Sequence, residues 1–173
     1  MEQFAIEAES KVELYRQLIA AADALTEGEP DPIANMANVA ALLFETLPDI
    51  SWAGFYRDLG GDPSTGSGQE LVLGPFQGKS ACIRIPYGKG VCGAAAARRE
   101  AVRVDDVEEF PGHIVCDPAA RSELVVPVMA GARLIAVLDL DSPRRARFDA
   151  GDEAGCLELA RRLGPRLVAV EKR

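Results

Sequence analysis

Two apolar segments separated by three small residues constrain this chain more than any other feature. Residues 123–129 (ELVVPVM) and 133–141 (RLIAVLDLD) have the composition of buried strands, and Ala-Gly-Ala between them predicts a hairpin turn. Most of the other strand-like segments are also joined by short turns. Because parallel strands need long crossover connections, these short turns predict an antiparallel sheet.

The other segments predict the order of elements around this hairpin. Apolar residues at helical spacing predict two helices before the sheet, over 8–25 and 33–47, and a last helix over about 149–170. A short helix is expected at 91–99. Further strands are expected at 50–59, 70–76, 81–87 and 101–107. Helices that stand before, between and after the strands can cover both faces of the sheet.

The length and charge of the chain narrow its class. With 173 residues, 48% of them apolar, the chain suits one domain with a full core. A formal net charge of −8 disfavours nucleic acids and anionic membranes as partners. The first residues carry acids and no long apolar run, so we expect no secretion signal and a cytoplasmic protein. In that compartment we expect disulfides to be transient and catalytic.

Three acidic residues stand near the ends of the predicted hairpin strands. On the second strand, Ile135 and every second residue after it share a face, which ends in Asp139 and Asp141. Glu123 opens the partner strand. If the three carboxyl groups converge, their repulsion raises at least one pKa and leaves a neutral acid that can donate a proton. The ionised groups could hold an ammonium group. The alternative is that these strand ends face water.

Two aromatic residues share a face of the first predicted strand. Trp52 and Tyr56 are separated by an even number of positions, which places both side chains on the same side. Together they could form an aromatic wall that stacks on a cation or a polarisable sulfur group. Ordinary packing in the core is the alternative interpretation.

Four cysteines are present, and their spacing argues against a metal site. The chain has no CxxC motif and one histidine, His113, so we expect no bound metal. Cys116 lies in the irregular loop FPGHIVCDP, where a thiol can be accessible. Cys82 and Cys92 flank a glycine-rich turn. Cys156 lies in the last helix and is expected to be a buried apolar side chain.

The same glycine-rich turn suggests a different function. GKGVCG (88–93) fits G-x-G-x-x-G, follows a predicted strand and opens a predicted helix, as in dinucleotide-binding folds. No repeated βαβ pattern follows it, and the rest of the chain is hairpin-like. A tight turn from strand to helix is therefore the favoured interpretation, and nucleotide binding is the alternative.

Longer motifs resemble those of a known family. LVLGPFQGKSACIRIPYGKGVCG, DDVEEFPGHIVCDPAARSELVVPV, AVLDLDSP and a later FD are similar to motifs of the free methionine-(R)-sulfoxide reductases, which are single GAF-domain enzymes. The resemblance covers most of 52–152. It implies a GAF-like α+β fold, with a six-stranded antiparallel sheet and helices on both faces, and it implies a homodimer. The Gly/Ser-rich loop over 60–68 departs from the family pattern.

The expected domain organisation follows from this resemblance. We expect a single GAF domain over 1–173. Within it we expect a helical N-terminal segment (8–47), a sheet core (50–141) and a C-terminal helix (149–171).

The resemblance also implies a chemistry. Enzymes of this family reduce free methionine sulfoxide, with a preference for the R form, and we expect no cofactor. By position in the motifs, Cys116 is the catalytic nucleophile, Cys82 the resolving thiol and Cys92 a second disulfide partner. A thioredoxin-like dithiol is the expected reductant. One of three acids is the expected proton donor. With two aromatic residues, these acids form the implied substrate pocket: Trp52, Tyr56, Glu123, Asp139 and Asp141.

Two other functions remain alternatives. A GAF domain can be a sensor that binds a small ligand such as a nucleotide or a tetrapyrrole, although sensors are normally joined to an output domain, which we do not expect here. The same cysteines could instead form a disulfide only as a redox signal. Turnover of free methionine sulfoxide with thioredoxin and its reductase distinguishes the three.

Overall fold

The computed structural model describes residues 6–60, 69–114 and 116–168. Its helices and strands follow the predicted order: α1 (Lys11–Thr26), α2 (Pro32–Thr46), β1 (Trp52–Asp58), β2 (Glu70–Gly78), β3 (Arg84–Pro86), α3 (Gly90–Arg98), β4 (Val102–Val104), β5 (Ser122–Ala130), β6 (Arg133–Ser142) and α4 (Ala150–Leu163). Short 3-10 helices cover Val107–Glu109 and Gly164–Leu167. Beyond Gly60, the loop that departs from the family pattern lies outside the described residues.

All six strands form one antiparallel sheet. Their spatial order is β3-β2-β1-β6-β5-β4, so the β5–β6 hairpin predicted from sequence stands beside β1. Each pair of neighbours is antiparallel. The sheet therefore confirms the expectation drawn from the short turns.

Alternation along the strands divides the apolar residues between two faces. Residues such as Phe55, Leu124 and Leu138 pack with α1, α2 and α4 on one face. Their neighbours Tyr56 and Val137 pack with α3 on the other face. Because side chains of a strand alternate between faces, each central strand serves both cores. Helices on both faces were expected and are confirmed.

A β-bulge changes the face of one predicted residue. Val128 of β5 pairs with Ala136 and Met129 pairs with Leu134, so Ile135 is left without a direct partner. Ile135 packs with the α1, α2 and α4 side, opposite to Val137. The prediction that it shares a face with the acids of β6 was wrong, because an extra residue in one strand shifts the alternation.

The glycine-rich turn packs a helix tightly against a strand. Gly88 donates its N–H to the carbonyl of Gly93 at 2.8 Å, and a Cβ on Gly93 would collide with the carbonyl of Pro86. Gly90 has φ of +60° and starts α3. The glycines therefore serve a close turn within an antiparallel sheet, which is not the parallel βαβ unit that a dinucleotide site needs.

Helix α4 is fixed to α1 through a buried polar network. Asp149 and Asp152 form a capping box at the start of α4. The buried Asp152 accepts hydrogen bonds from Tyr15, Lys11 and Arg147. Such a carboxylate is tolerated in the interior because its charge is paired and hydrogen-bonded.

Within the described part of the chain, the helices are too short or too polar to cross a membrane.

The contact between α1 and α4 requires a residue without a side chain. A Cβ on Gly155 would overlap the ring of Tyr15, which is itself buried. We expect Gly155→Ala to lower the free energy of unfolding by about 1–3 kcal/mol, since overpacking forces neighbours to move. Urea unfolding measures this change.

Gly151 provides a matched control in the same helix. The atoms nearest to a Cβ there belong to the side chains of Lys11 and Asp149, at 3.0 and 3.1 Å, so it overlaps no ring. Gly151→Ala should therefore change the free energy of unfolding by less than about 0.5 kcal/mol. Equal stability of the two variants would contradict this account of the helix contact.

Candidate active site

Three strands place a row of functional side chains side by side. In the central strand β6, Asp141 pairs with Glu123 of β5 on one side and with Trp52 of β1 on the other. One step along, Asp139 pairs with Val125 and Gly54. Glu123 and Asp139 are buried, at 7% and 5% exposed. The three acids predicted from sequence therefore converge on one pocket, in which Asp141 is half-buried. The alternative that these strand ends face water is wrong for Glu123 and Asp139.

The aromatic wall forms because one of its positions is a glycine. The Trp52 indole lies over Gly54, where an added Cβ would collide with it. The indole stacks on Tyr56 at a centroid distance of 5.9 Å and on Phe76 at 5.2 Å. Trp52 and Tyr56 were expected to share a face. Phe76 was missed, because only the pairing of Gly54 with Phe76 across β1 and β2 brings it here.

Burial keeps the acids of this row protonated to an unusually high pH. Removal from water is the largest cause of the raised pKa of Glu123, Asp139 and Asp141. The pKa of Asp139 rises to about 7. The negative charge of Asp139 raises the pKa of the other two further. Protons are thus available in the pocket at neutral pH, as general acid catalysis requires.

Two of the four cysteines are joined at this pocket. Cys82 and Cys116 form a disulfide with their Cα atoms 5.4 Å apart. Cys116 lines the pocket together with the acids, whereas Cys82 lies just before β3, which begins at Arg84. Cys92 is a free, buried thiol in the first turn of α3, with its Sγ 3.9 Å from Glu123 Oε1.

The two free cysteines are both buried. Burial is the main cause of the raised pKa of both Cys92 and Cys156, so both thiols are protonated at neutral pH. Cys156 is buried in the other core, among the helices, as predicted. His113 lines the pocket, and partial burial lowers its pKa, so it contributes little positive charge to favour a thiolate.

The pocket is almost filled when the disulfide is present. Its cavity volume is about 30 Å³, room for one or two water molecules. Of the predicted site residues, all except Cys82 line this pocket. It is also lined by residues that were not predicted, including Ser80, Ile114, Asp117 and Ala120. Asp117 was missed as a pocket residue, because no sequence signal shows that a loop side chain turns inward.

Three pocket residues have the chemistry of metal ligands. Cys92, Glu123 and Asp139 each present one ligand atom, and these atoms lie within 4.8 Å of one another. Thiolate and carboxylate are ligands that zinc accepts. The expectation that the protein holds no metal stays a prediction.

The fold and the pocket define a GAF domain, and the chain matches the GAF domain family over residues 31–167. The free methionine-R-sulfoxide reductase of Escherichia coli is 48% identical over 154 residues, which cover 89% of this chain and 88% of that protein. The enzyme of the same name from Saccharomyces cerevisiae is 38% identical over 157 residues, which cover 88% and 84%.

A solved structure gives the same assignment. Free methionine-R-sulfoxide reductase from Neisseria meningitidis, in complex with its substrate, superposes with a TM-score of 0.87 at 42% identity and covers 96% of each chain. The chain therefore belongs to the free methionine-R-sulfoxide reductase family. The GAF-like α+β fold expected from the motifs is confirmed.

The buried acids make stability depend on pH. The pKa of Asp139 is about 7 in the folded chain and 3.8 in the reference state, so the folded state holds a proton that the unfolded state loses between these values. Stability is therefore expected to fall as pH rises through this range. Asp139→Asn should raise the free energy of unfolding by roughly 1–3 kcal/mol near pH 8 and change it little near pH 4.

Urea unfolding at both pH values measures the effect. Asp105→Asn, at an exposed position, is the matched control and should show no such pH dependence. A gain from Asp139→Asn that is equal at the two pH values would show that burial of the acid is not its cause.

Proposed function

We propose that this chain reduces free L-methionine (R)-S-oxide to L-methionine, with Cys116 as the nucleophile. One observation carries the proposal: the Cys82–Cys116 disulfide lies at a pocket lined by three acids, of which Glu123 and Asp139 are buried. A sulfoxide needs both a sulfur nucleophile and a proton donor, and this pocket supplies both. The names of its relatives support the same substrate.

The first chemical step consumes one thiolate and one proton. The Cys116 thiolate attacks the sulfoxide sulfur while a neutral acid protonates the oxygen. The hydroxyl group then passes from the substrate sulfur to the Cys116 sulfur while the transient bond between the two sulfur atoms breaks. Methionine leaves, and Cys116 becomes a sulfenic acid. The donor is Glu123, Asp139 or Asp141, and their raised pKa values support this role.

The second step converts the Cys116 sulfenic acid to a disulfide, which is then reduced. The Cys82 thiol attacks the sulfur of the Cys116 sulfenic acid, which forms the disulfide and releases water. An external dithiol of the thioredoxin type then reduces the disulfide by thiol–disulfide exchange. Cys92 also lines the pocket and is a second candidate to attack the sulfenic acid.

The same pocket accounts for selection of the free amino acid. Those carboxyl groups of the row that are ionised bind the substrate ammonium group, which a methionine inside a peptide lacks. Trp52 and Tyr56 pack against the side chain and its polarisable sulfur. The preference for the R form rests on the names of the relatives.

The small cavity implies that the disulfide is reduced before the substrate binds. A volume of about 30 Å³ is too small for methionine sulfoxide, so the disulfide form does not bind substrate. Reduction releases the Cys116 loop and lets the pocket open. We further propose a cytoplasmic homodimer reduced by thioredoxin, which the family resemblance supports.

Replacing the nucleophile tests the proposal directly. Reduced Cys116→Ser protein mixed with one equivalent of free methionine (R)-sulfoxide should release no methionine, because no other thiol is expected to attack the substrate. Amino-acid analysis of the quenched mixture measures the product. Cys156→Ala is the matched control, since Cys156 lies in the other core, and it should release methionine as the parent does.

The parent protein separates the alternatives in the same assay. A disulfide that forms without release of methionine would indicate a redox switch. Binding of a ligand with neither disulfide nor product would indicate a sensor. Either result would exclude the reductase, as would methionine release by Cys116→Ser.

Replacing the resolving thiol separates the two chemical steps. Cys82→Ser should release about one methionine per chain, because Cys116 still attacks, but turnover with thioredoxin should slow at least tenfold. The double variant with Cys92→Ser should turn over more slowly still if Cys92 substitutes for Cys82. The NADPH-coupled assay with thioredoxin and its reductase measures recycling. Parent-like recycling by the double variant would exclude both thiols from this step.

A further inference from the structure

The two loops that carry the disulfide are also joined by an ion pair. Lys79 Nζ lies 3.5 Å from Asp117 Oδ1, so the pair connects the segment before Cys82 to the residue after Cys116. Asp117 Oδ1 also accepts the N–H of Ala119 at 2.9 Å, which orients the carboxylate within its own loop. The Lys79 side chain is 70% exposed, and that of Asp117 is 9% exposed.

The segment that carries Lys79 and Cys82 is fixed at its other side to the aromatic wall. The indole Nε1 of Trp52 donates to the Lys79 carbonyl at 3.0 Å. The Tyr56 hydroxyl donates to the Cys82 carbonyl at 3.0 Å. Trp52 and Tyr56 therefore hold the backbone of this segment. The ammonium group of Lys79 extends to Asp117 in the Cys116 loop.

These contacts assign a role to a residue that has none in the chemistry above. We propose that Lys79 is a positioning residue for the resolving step: its ion pair with Asp117 holds the Cys82 loop against the Cys116 loop. The inference rests on the proposed function for the origin of the sulfenic acid. The ion pair itself makes and breaks no bond, and the reaction remains attack of the Cys82 thiol on the Cys116 sulfenic acid with release of water.

A positioning role predicts an effect on rate and little effect on stability. Because the lysine end of the ion pair is exposed, the pair contributes weakly, and its loss should slow a loop encounter by about two- to five-fold. Since Lys79 is mostly exposed, Lys79→Gln should fold as the parent does. Lys79→Arg keeps the charge and should keep the rate.

The experiment follows both steps in one turnover. Reduced protein is mixed with one equivalent of free methionine (R)-sulfoxide and quenched at intervals with a thiol-alkylating reagent. Amino-acid analysis then gives methionine release, and mass spectrometry gives the disulfide and the sulfenic acid trapped by dimedone. For Lys79→Gln we expect methionine release like that of the parent, slower decay of the sulfenic acid and slower growth of the disulfide.

Three comparisons identify the ion pair as the cause. Lys79→Arg should restore the parent rate of disulfide formation. Salt near 1 M should slow the parent toward the rate of Lys79→Gln and change that variant less, because salt screens the exposed lysine end of the pair. Lys89→Gln, the same change at an exposed lysine at the start of α3, should behave as the parent does.

A pH profile separates positioning from an effect on thiol ionisation. The deficit of Lys79→Gln should persist near pH 9, where free thiols are largely ionised. A deficit that disappears there would show that Lys79 acts on the ionisation of Cys82, and would overturn the positioning role. Parent-like disulfide formation by Lys79→Gln at low salt would overturn it as well.

A second oxidant keeps this test independent of the proposed substrate. Hydrogen peroxide oxidises a thiolate to a sulfenic acid with release of hydroxide, so it starts the resolving step without methionine sulfoxide. If the parent releases no methionine, the proposed function fails. The comparison of Lys79→Gln, Lys79→Arg and the parent after peroxide then still decides the role of the ion pair.

Discussion

The site depends on the burial of carboxyl groups that lie side by side on two antiparallel strands, β5 and β6. Because β6 pairs with both β5 and β1, Asp141 stands between Glu123 and Trp52 in one row. Taken out of water, each of these acids favours its neutral form, and the charge of Asp139 strengthens that preference in its neighbours. The register of the sheet thereby keeps carboxyl groups of the pocket protonated at neutral pH.

The cysteines are brought to this row of acids by a helix and two loop segments. Helix α3 places Cys92 beside Glu123, and Cys116 lines the same pocket. The segment that carries Cys82 is held by the polar atoms of the aromatic wall, Trp52 and Tyr56. The same two side chains can thus pack against a substrate and support the thiol that follows it.

One face of the sheet carries the acids of the site, and the other face carries the larger apolar core. Buried acids with raised pKa values cost stability at neutral pH, since the unfolded chain ionises them freely. The opposite face carries the larger apolar core, formed with α1, α2 and α4, and Cys156 is buried there as an ordinary small side chain. The paired Asp152 shows the contrast, because its charge is matched by Lys11 and Arg147. The face that carries the buried acids is thus backed by a larger apolar core on the opposite face.

Sequence alone determined what depends on local periodicity: the order of elements, the antiparallel hairpin, the shared face of Asp139 and Asp141, and that of Trp52 and Tyr56. Resemblance to a family, and not spacing, indicated the roles of the cysteines. Only the tertiary structure decided that Phe76 completes the aromatic wall, that Ile135 turns to the other face, and that Asp117 turns inward to meet Lys79. The reason is physical: alternation is set by neighbours in the chain, whereas register, bulges and loop paths are set by contacts between residues far apart in sequence.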